Sequence, residues 1–143
     1  MASTDEELRD LATRLHAAAI RLLRTLRRED DGSGLSAPRL SALSVVAFAG
    51  PLSLAELAAA EQVRPPTMSR IVDALVAAGL VTRAPDPADR RSVRIAATAK
   101  GRRVMEAGRE RRVRALAARL GALGADDRRA LEAAAAPLER LLR

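Results

Sequence analysis

Residues Ser53–Gly101 read SLAELAAAEQVRPPTMSRIVDALVAAGLVTRAPDPADRRSVRIAATAKG, and this stretch decides the fold. Ser53-Leu54-Ala55-Glu56 is a capping box, with a serine three residues before a glutamate, and it opens a short helix through about Ala60. Glu61-Gln62-Val63 makes a turn. Arg64-Pro65-Pro66-Thr67 opens a second helix, because proline is tolerated where backbone N–H groups have no helical partner. Gly79 closes that helix. Leu80–Ala84 and Val93–Ala97 are short and partly β-branched, so they read as a hairpin around the polar loop Pro85–Ser92. Helix, turn, helix and an arginine-tipped hairpin form an arrangement suited to holding two grooves of one DNA duplex.

The flanks are helical. Ser3 and Thr4 stand three residues before Glu6 and Glu7, as capping boxes do, and a helix is expected from about Thr4 to Arg28. Leu8, Leu11, Leu15, Leu22 and Leu26 recur along it at helical spacing. Glu29–Gly34 stops it. Ser36 caps a second helix carrying Leu40, Leu43, Val46, Ala47 and Phe48, which ends at Gly50-Pro51. Thr98 caps a helix running to about Leu120, and Gly121 and Gly124 break it. A last helix starts at Asp126 or Asp127, with Pro137 expected to kink or interrupt it.

The expected architecture is mainly α with a small β-hairpin wing: a winged helix-turn-helix plus a helical dimerisation region, in the order α-α-α-α-β-β-α-α. Its expected domains are 1–35, an N-terminal dimerisation helix, 36–97, a winged DNA-binding domain, and 98–143, the C-terminal dimerisation helices. The outer helices carry apolar faces that the small middle domain cannot cover. Their simplest partners are each other and a second copy of the chain.

Composition agrees. Hydrophobic residues make up 48% of the 143-residue chain, yet Phe48 is the only aromatic, so alanine and aliphatic side chains must fill the core. Alanine is the best intrinsic helix former. The net charge is +7, from 24 arginines and one lysine against 18 acids. Between Leu80 and Arg114 lie eleven basic and four acidic residues, so this one span holds an excess equal to that of the whole chain. A local basic excess suits a polyanionic partner. Arginines scattered over solvated faces are the alternative, and they account less well for the clustering. The chain has no cysteine, which excludes disulfides, thiolate metal sites and thiol redox sensing. Neither a membrane-length apolar run nor a signal-peptide pattern is present, so a cytoplasmic protein is expected.

On a wheel of 100° per residue, Met68, Ile71, Val72 and Leu75 share one side of the second helix. Pro66, Thr67, Ser69, Arg70 and Asp73 lie on the opposite face or flank it, with Arg70 at the centre. Such a face is small enough for a major groove, where arginine can bond guanine and Ser or Thr can bond base edges or phosphates. Asp73 would be repelled by phosphate unless an arginine or a cytosine amino group faced it. An ordinary surface helix with one arginine fits this segment equally well when it is taken alone. The hairpin adds Asp89, Arg90 and Arg91 at its tip. Arginine on a protruding loop can enter the minor groove, and an aspartate two residues earlier can direct it through an ion pair.

Taken together, these segments resemble the MarR family of winged helix-turn-helix transcriptional regulators. The resemblance is carried by Pro66-Thr67-Met68-Ser69-Arg70, by Leu75 and Ala78-Gly79-Leu80-Val81, by Asp89-Arg90-Arg91 and by Thr98-Ala99-Lys100-Gly101. Helix order and chain length agree along essentially the whole sequence. Ala97 departs from the pattern, which has leucine before the threonine, and this bears on packing beneath the wing. The resemblance implies a homodimer that binds pseudo-palindromic duplex DNA, most simply as a repressor. It also implies that Arg91 meets the minor groove with Asp89 as its partner, and that Pro66, Thr67, Ser69 and Arg70 meet the major groove.

Many members of the family answer to small phenolic anions. His16, Ile20, Leu43, Ala47 and Phe48 are candidate lining residues for such an effector, although core and dimer-interface roles explain the same five positions more economically. No enzyme motif is present: the chain has neither nucleophile elbow nor phosphate loop, and its single histidine argues against metal chemistry. No cofactor is expected. Two rival readings remain, a winged-helix protein-interaction module and a helical ligand-binding dimer without a DNA role.

Overall fold

The structure is a computed structural model and describes residues 2–142. Helix α1 spans Ala2–Arg27 and gives way to a 3₁₀ turn, Arg28–Ser33. Thr4 therefore lies within the first turn of α1 rather than ahead of it, and the side chain of Ser3 lies outside the described residues. Helix α2 (Ala37–Ala49) leads to a two-residue strand β1 (Leu52–Ser53) and then to α3 (Leu54–Ala60) and α4 (Pro65–Ala77). Strands β2 (Val81–Pro85) and β3 (Val93–Ala97) form the hairpin. Helices α5 (Ala99–Gly121) and α6 (Ala125–Leu141) complete the chain.

The mainly helical class and the hairpin are as the sequence predicts. Strand β1 is an addition: it pairs antiparallel with β3, Leu52 opposite Ile95 and Ser53 opposite Arg94, giving the strand order β1-β3-β2. Two residues carry too little alternation to signal a strand. Pro137 does not interrupt α6, which runs through it. Proline there removes one helical N–H donor, a loss that an otherwise alanine-rich segment tolerates.

The chain divides into two compact units, Asp30–Glu110 and the pairing of Met1–Glu29 with Arg111–Arg143. The first unit holds the core. Leu43, Leu57, Met68, Val72 and Leu75 are fully buried there, joined by Val46, Leu80, Val81, Ile95, Ala97 and Met105. This unit extends past 36–97 because the first turns of α5 belong to the core. Gly101 explains how α5 comes so close: a Cβ at that position would stand 2.1 Å from the Leu80 carbonyl oxygen. Thr98 caps α5, its Oγ1 accepting the Gly101 N–H at 3.0 Å and donating to the Gly79 carbonyl at 2.7 Å. Ala97, small where leucine is usual, is still buried.

The second unit is different. Leu8, Leu11, Leu15, Ile20, Leu22, Leu23, Val113, Leu131, Leu138, Leu141 and Leu142 are all exposed on it. Monomeric proteins seldom leave so much apolar surface in water. No helix among the described residues is long and apolar enough to cross a membrane.

Candidate nucleic-acid interface

The interface begins with the capping box on α3. Ser53 Oγ accepts the Glu56 N–H at 3.2 Å, and Glu56 Oε2 accepts the Ser53 N–H at 2.7 Å. Helix α3 ends in a Schellman motif: the Val63 N–H reaches the Ala58 carbonyl at 3.0 Å, and the Gln62 N–H reaches that of Ala59 at 3.1 Å. Gln62 takes the left-handed conformation, φ 55°, that a glycine would adopt more cheaply. The turn is further tied to α2 by Ser41 Oγ, which donates to Glu61 Oε1 at 3.0 Å.

The reading helix α4 starts with Arg64 as its N-cap residue, followed by Pro65 and Pro66. Met68, Val72 and Leu75 anchor its buried side with no exposed surface, and Ile71 is half-buried. Pro66, Thr67, Arg70 and Asp73 are exposed, whereas Ser69 is half-buried. A second Schellman motif ends the helix, with Leu80 N–H on the Leu75 carbonyl at 2.9 Å and Gly79 at φ 70°. Lys100 Nζ donates to the Ala78 carbonyl at 2.8 Å, so α5 also holds the end of α4.

Asp73 has the arginine that its place on the exposed face requires. Arg83 Nη1, on β2, lies 2.6 Å from Asp73 Oδ1. The pair neutralises the one acid on the exposed face of the reading helix.

The wing loop is closed by its own backbone. The Asp86 N–H donates to the Ser92 carbonyl, and the Ser92 N–H to the Asp89 carbonyl, both at 2.9 Å. Asp86 Oδ1 accepts the Ala88 N–H at 2.8 Å, and Asp89 Oδ1 accepts the Arg91 N–H at 3.0 Å. Asp89 thus holds Arg91 by its main chain, not through the guanidinium as expected. A carboxylate two residues before an N–H forms this Asx turn with no extended side chain to order. The side chains of Arg90 and Arg91 are left exposed at the tip.

Arg94, Asp86 and the capping-box residue Glu56 form a further cluster beside the wing. Arg94 on β3 bonds Asp86 Oδ2 through Nε at 2.6 Å and Glu56 Oε2 through Nη1 at 3.0 Å. The Ala88 N–H, and then Arg94, hold the Asp86 carboxyl below its ordinary value. Glu56 is lowered chiefly by its bonds from Ser53, with Arg94 adding to the effect. Arg94 is raised, first by its bond to Asp86. Strand alternation could have placed Arg94 on the face opposite Ile95. Its partner Glu56 could not be found that way, because the two meet only through β1.

The five candidate lining residues do not share one environment. Leu43 is fully buried in the core and Ala47 half-buried, while His16 and Ile20 are exposed and Phe48 is 78% exposed. No group of three or more His, Cys, Asp or Glu placed to hold a metal occurs among the described residues.

Comparison with known proteins gives one consistent result. A model of the MarR family matches residues 35–93. A helix-turn-helix transcriptional regulator of Mycobacterium bovis is 39% identical over 125 residues, 87% of each chain. A transcriptional regulator from Thermotoga maritima superposes with a TM-score of 0.83 at 26% identity, covering 94% of both chains. A MarR family protein from Bacillus stearothermophilus gives 0.75 at 25% identity over 96% of both.

Proposed function

The chain belongs to the MarR family of winged helix-turn-helix DNA-binding regulators, and on that premise we propose that it is a homodimeric, cytoplasmic repressor of pseudo-palindromic operators. Family membership places its chemistry in binding, not catalysis. Residues 36–97 are assigned to DNA and residues 1–35 and 98–143 to dimerisation. The observation that carries the proposal is the pairing of a rigidly anchored reading helix, with Arg70 exposed at the centre of a small face, and a wing tip that presents Arg90 and Arg91.

Pro66, Thr67, Ser69 and Arg70 face the major groove, where Arg70 reads guanine and Thr67 and Ser69 bond phosphates or base edges. Asp73 acts with Arg83. Arg90 and Arg91 approach the minor groove, and Asp89 shapes the turn that carries them. Burial of Leu43 favours a core role for that residue over a ligand-lining one. Small-molecule release of this repressor is part of the proposal; among its candidate residues His16, Ile20 and Phe48 are exposed and Ala47 is half-buried.

Selection of bound duplexes from a random pool tests this reading. The expected product is an inverted repeat with half-sites about 10 bp apart centre to centre. Recovery of no preferred sequence, or of a single unrepeated site, overturns it. Competition of the selected duplex with small phenolic anions then decides whether release is under ligand control.

A further inference from the structure

Arg94 lies mid-strand in β3, opposite Ser53 of β1 on one side and Ala84 of β2 on the other. Its guanidinium spans two carboxylates from different parts of the fold. Glu56 Oε2, 3.0 Å away, is the same oxygen that accepts the Ser53 N–H and starts α3. Asp86 Oδ2, 2.6 Å away, belongs to the carboxylate whose other oxygen holds the Ala88 N–H and starts the wing loop. A continuous chain of hydrogen bonds therefore runs from the first turn of the helix-turn-helix, through one arginine, to the base of the wing. Asp86 is the one buried charged residue among the described residues, and Arg94 Nε and the Ala88 N–H hold its two oxygens.

We infer that Arg94 is a positioning residue for DNA binding, setting the direction of the 86–92 loop relative to the helix-turn-helix so that Arg91 and the reading helix engage their grooves in one geometry. The inference rests on the wing reading proposed above. Short backbone bonds close the loop on itself, but they do not tie it to α3. Only the Glu56–Arg94–Asp86 bridge does so among the described hydrogen bonds and ion pairs. Arg94 is not a phosphate contact in this scheme. Two carboxylates already neutralise it, so it displaces no counterion from DNA.

The test uses the full-length protein, the duplex selected from the random pool and a scrambled duplex of equal length. Arg94→Gln is expected to weaken binding to the selected duplex by about tenfold, to leave the salt slope unchanged, and to cost nothing further once Arg91 is alanine. A merely structural role would add its cost in both backgrounds. Arg94→Lys should recover part of the loss, because one ammonium can reach one carboxylate but cannot fork across two. Glu56→Gln serves if Arg94→Gln folds poorly: it keeps the Asp86 bond, and its smaller loss should likewise vanish in Arg91→Ala.

The outcomes separate the two readings. Unchanged affinity in Arg91→Ala removes the wing reading, and the inference falls with it. A weakened Arg91→Ala beside unaltered Arg94→Gln and Glu56→Gln overturns the positioning role alone. Costs that multiply in the double variant, or a salt slope that falls by about one, overturn it as well.

Discussion

Asp73 on the reading helix and Arg83 on β2 form an ion pair of 2.6 Å beside the exposed face centred on Arg70. Both side chains are well exposed, and such surface pairs contribute about 0–1 kcal/mol to stability. Their consequence is electrostatic. A bare carboxylate on this face would repel phosphate, and Arg83 cancels it while being held against α4. Asp73→Asn should therefore raise affinity for unrelated duplexes, because the freed Arg83 can displace a counterion. The salt slope should steepen by about one, and the ratio of specific to non-specific binding should fall. Titrations at several salt concentrations measure all three, and an unaltered slope would show that Arg83 stays away from the backbone.

Arg70 is the exposed arginine at the centre of that face. Replacing it with alanine is expected to relax preference at one base position by about 1–3 kcal/mol. The wild-type and variant profiles, each selected from the same random pool, locate that position. An equal loss for every sequence would make Arg70 a phosphate contact instead.

Gly101 permits the close approach of α5 to the end of α4. Its absent Cβ would meet the Leu80 carbonyl oxygen at 2.1 Å, a backbone atom that cannot swing aside. Gly101→Ala should cost about 1–3 kcal/mol or more, as overpacking of a fixed contact does. Chemical denaturation reads the loss directly. Gly121→Ala is the control, because a Cβ there meets nothing within 4 Å. Helix propensity alone would make either alanine stabilising, so an equal loss in both would show that the Leu80 contact is not its cause.

The Glu56–Arg94–Asp86 bridge also sets an acid limit. Both carboxyls are held below their ordinary values in the folded chain, Glu56 by Ser53 and Asp86 by the Ala88 N–H and Arg94. The unfolded chain binds their protons more readily, so its population gains as pH falls. Their stabilisation is present in full above the ordinary carboxylate value of about 4 and is lost as pH drops through the lowered ones. The melting temperature should be insensitive to these groups from neutral pH to about 5 and should decline below about 4. Asp86→Asn should flatten part of that decline. An identical decline in the variant would place its origin in other carboxylates.

Most of the fold was legible because its signals are local. The Ser53/Glu56 capping box, the Gly79 stop and the Thr98/Gly101 start each depend on residues within one helical turn, and all three stand in the structure. The wheel on α4 separated Met68, Val72 and Leu75 from the exposed Arg70 because burial there follows the helical period. What escaped is non-local. Glu56 and Arg94 are 38 residues apart and meet only because β1 brings the start of α3 to β3. Arg83 finds Asp73 through the path of the hairpin over α4, which no spacing encodes. Asp89 was legible as a partner of Arg91 but not in its mode, since a carboxylate two residues away can serve either the main chain or the side chain.

The apolar faces outside the core are the surfaces we propose to pair two copies of the chain. Leu11 and Leu15 on α1 and Leu131 and Leu138 on α6 are exposed in a single chain, while the core of the Asp30–Glu110 unit is complete without them. Burying one such leucine is worth about 1.5–3 kcal/mol, so a second copy that covers several gains enough to associate. Leu15→Glu together with Leu131→Glu should shift the protein to monomer in sedimentation and leave the fold of the winged unit intact by circular dichroism. Each half-site would then be bound independently. Affinity for the paired operator should drop by about 10²-fold or more as the linkage between the two modules is lost, whereas affinity for an isolated half-site should hold. A double variant that stays dimeric would put the dimer contact elsewhere on the chain. A monomer that binds the paired operator at full strength would mean that one winged unit suffices, and the inverted repeat would need another explanation.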